Sequence, residues 1–196
     1  MSVYNLCPAP DLSTREQNYA TWENGFSDSE IADIIEIGNS LTFYDGVIDK
    51  NIMDESIRKS STSWIPCSND AQFIYDKLGY ITRMLNGQFF EFDLYGFVED
   101  LQFTVYQAEG DHYEWHMDKG NLNSSPRKLS LVLQLSDPEE YEGGDLQFMF
   151  GKDIFTAERK KGLVYAFPSW VLHRVTPITA GTRKSLVCWL SGNKFR

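Results

Sequence analysis

Apolar side chains recur at helical spacing in two stretches of the first half of the chain, and the second half is patterned differently. The first stretch carries Ile31, Ile34, Ile35, Gly38 and Leu41. It is preceded by Ser27-Asp28-Ser29-Glu30, a serine with a glutamate three positions on, which can satisfy two orphan backbone donors at once and predicts a helix opening there. The second stretch, Phe73, Ile74, Leu78, Ile81 and Leu85, predicts a helix over 69–86 that Gly87 stops. From Phe89 onward the runs are short, apolar or alternating, and are separated by Asp137-Pro138, Gly143-Gly144, Gly151-Lys152-Asp153 and Ala180-Gly181. Such punctuation predicts a mainly β region with buttressing α-helices, fitted by a double-stranded β-helix of the jelly-roll kind. The chain then divides into an N-terminal arm (1–26), helical and loop support (27–88) and the β-helix (89–196), all within one domain. Residues 45–63 are polar and read as a mobile connector.

Composition narrows the class. With 196 residues, 42% apolar and 14% aromatic, a single core is attainable without disulfides. Cys7, Cys67 and Cys188 are odd in number, widely spaced and without a Cys-x-x-Cys pattern, which suits a reduced cytoplasm. The N-terminus lacks a basic start and apolar core, and no apolar run has membrane-spanning length, so the expectation is a soluble cytoplasmic protein with no membrane partner. Eighteen Lys and Arg against 28 Asp and Glu give a net charge of −10, which opposes nucleic acid as a partner. The small basic run Arg159-Lys160-Lys161 reads as a solvated turn. Oligomeric state is not legible.

Candidate chemistry centres on His116-x-Asp118, since residues at i and i+2 of a strand share a face and can offer two ligands to one ion. His112, Glu114, His116 and Asp118 have one parity, but six residues of strand span about 20 Å, so only a neighbouring pair can serve. His112-x-Glu114 satisfies the spacing too. His116-x-Asp118 is preferred because the polar stretch from Lys119 to Arg127 begins there, and a strand's end is where an open site is reachable. His173, in the apolar passage Ala166 to Val175, is the third ligand candidate beside the reading of an ordinary core histidine. Two histidines and one carboxylate leave coordination positions free, the arrangement of non-haem Fe(II) oxygenases. Arg183 follows within a strand-like run, Thr182 to Leu190, where a guanidinium is costly unless it meets an anion such as a dicarboxylate; a surface salt bridge is the alternative.

With these residues the sequence resembles the Fe(II)- and 2-oxoglutarate-dependent oxygenases, in their prolyl and lysyl hydroxylase branch. The resemblance runs over 89–192 and is carried by Tyr106, the run His112 to Asp118, the run Arg127 to Pro138, Tyr141-Glu142-Gly143-Gly144-Asp145-Leu146, and Phe167-Pro168 through Trp189. It implies a catalytic domain in which His116, Asp118 and His173 bind Fe(II), Arg183 binds the far carboxylate of 2-oxoglutarate with Tyr106, and Ser185 assists. Leu146 and Trp189 match positions that wall the cosubstrate pocket, though both also suit core packing. A second cosubstrate-binding tyrosine of the animal oxygen-sensing prolyl hydroxylases aligns with Leu133, a departure from the pattern. The resemblance further implies that the segment 45–64, with Arg58 and Trp64, folds over substrate, and that ascorbate supports turnover. The implied activity is hydroxylation of an unactivated C–H bond, foremost in a peptidyl prolyl residue as in prolyl 4-hydroxylases. A free amino acid or other small molecule is the alternative substrate, and a non-catalytic β-helix metal- or ligand-binding module is the alternative class. That module leaves Arg183 without a role, and a zinc hydrolase or cupin isomerase would use more than three histidines and commonly a His-x-His pair, which is absent.

Overall fold

The computed structural model describes residues 17–46, 54–108, 110–120 and 126–193. Its elements in chain order are β1 (Ala20–Trp22), α1 (Asp28–Ser40), β2 (Tyr44–Asp45), β3 (Arg58–Lys59), β4 (Ser61–Ile65), α2 (Gln72–Leu85), β5 (Leu94–Phe97), β6 (Leu101–Gln107), β7 (His112–His116), β8 (Arg127–Gln134), β9 (Tyr141–Gly143), β10 (Leu146–Phe150), β11 (Asp153–Thr156), β12 (Val164–Pro168), β13 (Leu172–Val175) and β14 (Ile178–Gly192). The helix α1 starts at the capping box: Glu30 N donates to Ser27 Oγ at 3.3 Å, and Ser27 N donates back to Glu30 Oε2 at 2.8 Å. The second helix ends in a π-helical turn over Asn86–Phe90, closed by Glu91 in the left-handed region (φ 52°), so Gly87 lies inside the turn and does not stop it.

The strands form two antiparallel sheets. The larger has the order β1-β12-β8-β14-β6-β4-β2, with β5 and β9 also pairing with β14, and the smaller has the order β11-β10-β13-β7-β3. Alternation along the central strands sorts side chains onto two faces. Leu101, Phe103, Val105, Leu129, Leu131, Leu133, Leu186, Cys188 and Leu190 join Ile31, Ile34, Ile74, Leu78, Ile81 and Leu85 of the helices in one buried core. Close approach of α1 requires a glycine: a Cβ at Gly38 would lie 2.5 Å from Phe103 Cγ. The intervening positions, among them Gln102, Thr104, Tyr106, Ser130, Gln134, Arg183 and Ser185, are buried on the other face of the sheet, toward the smaller sheet. There Val132, Leu146, Phe148, Tyr165 and Phe167 form a second cluster. The polar side chains of the inward face, lying beside that cluster, are what make part of this space a candidate site.

Sheet structure begins earlier than the alternation predicted. Within the arm, β1 pairs with β12, and within the helical support, β2 and β4 extend the large sheet while β3 edges the small one. These strands are two to five residues long, too short for periodicity to show, and β4 is mostly Ser and Thr. The connector expected over 45–63 is therefore partly strand; residues 47–53 lie outside the described residues. No helix among the described residues is long and apolar enough to cross a membrane. Cys67 is exposed and Cys188 buried, both unpaired, and Cys7 lies outside the described residues.

Candidate functional site

The small sheet brings the two histidines face to face. In the ladder between β13 and β7, His173 stands opposite His116, but two residues on, Val175 stands opposite Tyr113, three positions from His116. One extra residue in β7 therefore makes a bulge, which re-aims side chains locally. Its consequence overturns the simple parity reading. Tyr113 and His116 lie on one face with ring centroids 3.5 Å apart, stacked. His112 instead turns to backbone carbonyls, with Nδ1 2.8 Å from Gly110 O and Nε2 3.4 Å from Ser56 O. Asp118 lies beyond the strand and is buried. Its neighbour is anchored by Lys119 N donating to Ser169 O at 2.8 Å, and its own carbonyl accepts from Arg127 Nη1 at 3.3 Å.

One ligand atom from each of His116, Asp118 and His173 lies within 4.8 Å of the others. His116 Nε2 is 3.7 Å from Asp118 Oδ1, and His173 Nε2 is 3.7 Å from Asp118 Oδ2. Each imidazole has Nδ1 against a carbonyl, Glu114 O at 2.7 Å and Val171 O at 2.9 Å. A carbonyl only accepts, so each neutral ring carries its proton on Nδ1 and presents the Nε2 lone pair to the cluster. Burial, reinforced by His173, pushes the His116 pKa down to about 3, which keeps the ring neutral. Burial raises the Asp118 pKa, yet His173 and His116, with Ser130 and Arg127, outweigh it and leave the carboxyl below its ordinary value. Asp118 Oδ2 is buried without any hydrogen bond, an expensive state for an anion unless a cation completes it. Two imidazole nitrogens and one carboxylate suit a divalent first-row metal and leave other coordination positions open.

A complementary charge sits on the large sheet. Arg183, 1% exposed, pairs across the ladder with Tyr106, and its guanidinium lies 5.5 Å from that ring. Its Nη1 donates to Ser185 Oγ at 3.5 Å and its Nη2 to Gln134 Oε1 at 3.4 Å, both neutral, while Nε has no partner. Among the described residues no carboxylate pairs with it, so the surface salt bridge is excluded and the cation waits for an anion. Beside its stem lies Gly144, where a Cβ would meet Ile178 Cδ1 at 2.2 Å and Arg183 Cδ at 3.2 Å.

The other expected positions divide. Trp189 is buried on the inward face, tilted against Trp64 at 6.1 Å, with the Arg127 guanidinium 3.6 Å over its ring. Leu146 packs in the apolar inter-sheet cluster. Leu133 belongs to the opposite core, against the helices, so a phenol there would enter the helical layer; Val132 and Gln134, on either side of it, are the neighbouring inward positions. The departure at Leu133 thus does not bear on the pocket. Arg58 is buried in β3, donating to Ser60 Oγ at 3.0 Å and Gln102 Oε1 at 3.1 Å with its guanidinium 4.6 Å over Tyr113. Trp64 is in β4. Both are strand residues of the inter-sheet space and not tips of a free loop. Sequence reasoning missed Tyr113, hidden by the bulge, and Arg127, which also binds Glu99 through Nε at 2.7 Å and through a short Nη2 contact.

The two-sheet β-helix thus holds a His-Asp-His cluster and a buried cation in the same inter-sheet space, a set suited to a metal ion and an anionic ligand. Residues 101–191 match the family described as the 2OG-Fe(II) oxygenase superfamily. A PKHD-type hydroxylase from Acidovorax ebreus is 27% identical over 84% of this chain and 74% of its own length. Another from Acaryochloris marina is 34% identical over 47% of this chain and 42% of its own. The chain spans about two fifths of the length of the first curated relatives it matches. A Trichoplax adhaerens prolyl hydroxylase, solved with a hypoxia inducible factor peptide, superposes with TM-score 0.76 at 18% identity, covering 89% of this chain and 83% of that one. The viral collagen prolyl hydroxylase of Paramecium bursaria Chlorella virus-1, as its 2OG complex, gives 0.68 at 25% identity, covering 90% and 97%. Over residues 101–191 by sequence, and by fold over most of its length, the chain is similar to prolyl hydroxylase-like members of the 2OG-Fe(II) oxygenase superfamily.

Proposed function

We propose that this chain is an Fe(II)- and 2-oxoglutarate-dependent dioxygenase that hydroxylates a prolyl residue in a peptide. The observation that carries the reading is Arg183: a guanidinium buried without an anionic partner among the described residues, in the space that also holds the His-Asp-His cluster. His116, Asp118 and His173 would hold the iron. When bound, the iron supplies the redox chemistry that couples decarboxylation of 2-oxoglutarate to C–H hydroxylation, with succinate and carbon dioxide as coproducts.

Each nearby residue has a definable task. Arg183 pairs with the far carboxylate, and Ser185 steadies its fork. Tyr106, whose pKa burial raises, stays a neutral phenol able to donate to the same carboxylate. Tyr113, with its pKa raised by burial to about 12, likewise stays protonated and holds the His116 ring by stacking. Trp189 and Leu146 wall the pocket, and closure against water strengthens every polar contact inside it. Arg58 and Trp64 flank the same space and are assigned to the peptide, a substrate class supported by the peptide held in the Trichoplax neighbour. Incubating the protein with Fe(II), 2-oxoglutarate, ascorbate and proline-containing peptides tests the reading. Succinate and a peptide heavier by one oxygen atom are expected. Succinate with a modified free amino acid and untouched peptides would replace the substrate, and no 2-oxoglutarate consumption under any condition would remove the activity.

A further inference from the structure

Gln134, 4% exposed on the inward face of β8, is a buried polar side chain that the metal cluster does not use. Its amide has two chemically different ends. Nε2 donates to Glu158 O at 2.6 Å, and because a carbonyl only accepts, the nitrogen is committed to that side. Oε1 must then face the other way, where it accepts from Arg183 Nη2 at 3.4 Å. The Glu158 peptide is itself fixed, its N–H donating to Tyr165 Oη at 2.7 Å, and the Gln134 backbone is tied at both ends, N to Leu163 O at 3.0 Å and O to Gly162 N at 2.8 Å. Opposite it across the ladder stands Ser185, which also reaches Arg183.

We propose that Gln134 is a positioning residue and the selectivity element of the anion site: its oriented amide steers the Arg183 fork while leaving the positive charge uncompensated. This rests on the reading of Arg183 as the clamp for the far carboxylate of 2-oxoglutarate. A glutamate at 134 would be nearly isosteric yet would give the guanidinium a built-in anion, filling electrostatically the place the cosubstrate takes. A neutral acceptor is the one chemistry that orients the cation without spending it. The residue therefore sets how strongly the pocket prefers a 2-oxo acid with a second carboxylate over one without.

The test compares 2-oxoglutarate with 2-oxobutyrate, which shares the 2-oxo acid head but lacks the distal carboxylate, by calorimetric binding to the Fe(II)-loaded protein under anaerobic conditions. The wild type should prefer 2-oxoglutarate by at least ~30-fold, the lower bound for truncating one side of a buried charge pair. Gln134→Glu should collapse that preference to a few-fold while leaving 2-oxobutyrate affinity near wild type. Gln134→Met, which removes the amide but adds no charge, should cost 2-oxoglutarate roughly 3- to 10-fold, the range for one lost hydrogen bond, and spare 2-oxobutyrate. General structural damage would weaken both ligands together. A Gln134→Glu protein with the wild-type preference overturns the proposal, as does a Gln134→Met protein with wild-type 2-oxoglutarate affinity if the glutamate variant does not fold. Failure of the clamp itself shows separately, as a wild-type protein that does not discriminate between the two acids.

Discussion

The two strands that carry the site obey the same pleat but follow it differently. Along β14, pairing is in unbroken register with β6 as far as Val187 and with β8 from Ser185 to Leu190, so Arg183, Ser185 and Trp189 alternate cleanly with Leu186, Cys188 and Leu190 of the core. Five residues long, β7 has a bulge, so Tyr113 and His116 share a face and His112 leaves it. Unbroken register makes side-chain direction readable from spacing, whereas one inserted residue inverts it. The difference matches the proposed tasks: an anion clamp would need a fixed cation on a rigid strand, and a metal cluster three ligand atoms turned toward one point.

Four experiments probe this contrast, from the largest effect down. Replacing His116, Asp118 or His173 by Ala should lower Co(II) affinity, followed by titration calorimetry, by more than the ~100-fold that loss of an outer partner can cost. His112→Ala should bind like wild type, and a metal-blind His112→Ala would favour the rival His112-x-Glu114 pair. On the regular strand, Arg183→Leu should weaken 2-oxoglutarate by ~30- to ~4,000-fold, equivalent to about 2–5 kcal/mol. Arg183→Lys should fall between, because it keeps the charge without the fork. Unaltered affinity in the Leu variant would place the clamp elsewhere. On the bulged strand, Tyr113→Ala removes the ring stacked on His116, and Co(II) affinity should drop by about 10-fold, as for other outer partners of metal ligands. Acid should also act on the metal-free protein. The folded-state pKa of His116, about 3, is below its ordinary 6.5, so the unfolded chain takes the proton first. The stability from burying the neutral ring is complete above about pH 6.5 and is lost as pH falls toward 3, so the urea midpoint should decline across that window. A midpoint unchanged between those limits would show that His116 does not titrate as a buried ring.

Legibility followed pairing and length. The capping box at Ser27 and the long periodic run to Leu85 are local signals, and both helices formed near their expected places. Edge strands such as Arg58–Lys59 have no periodicity to read; partners far along the chain make them. In the site, Arg183 stood out because a guanidinium inside an apolar alternation conflicts with burial. Gln134 raised no such conflict, since an amide in a strand is unremarked until its two ends are seen to have different partners. The offset at Leu133 arose from matching chain position without knowing which face each residue occupies.

The central claim is that the His-Asp-His cluster and the Arg183 pocket form one reaction site. It is tested most directly by measuring succinate from 2-oxoglutarate with Fe(II), ascorbate and a prolyl peptide, for the wild type, Asp118→Ala and Arg183→Leu side by side. The account predicts succinate and hydroxylated peptide from the wild type, none from Asp118→Ala, and from Arg183→Leu a rate that recovers only at much higher 2-oxoglutarate. Turnover by Asp118→Ala, or wild-type saturation in Arg183→Leu, would contradict it.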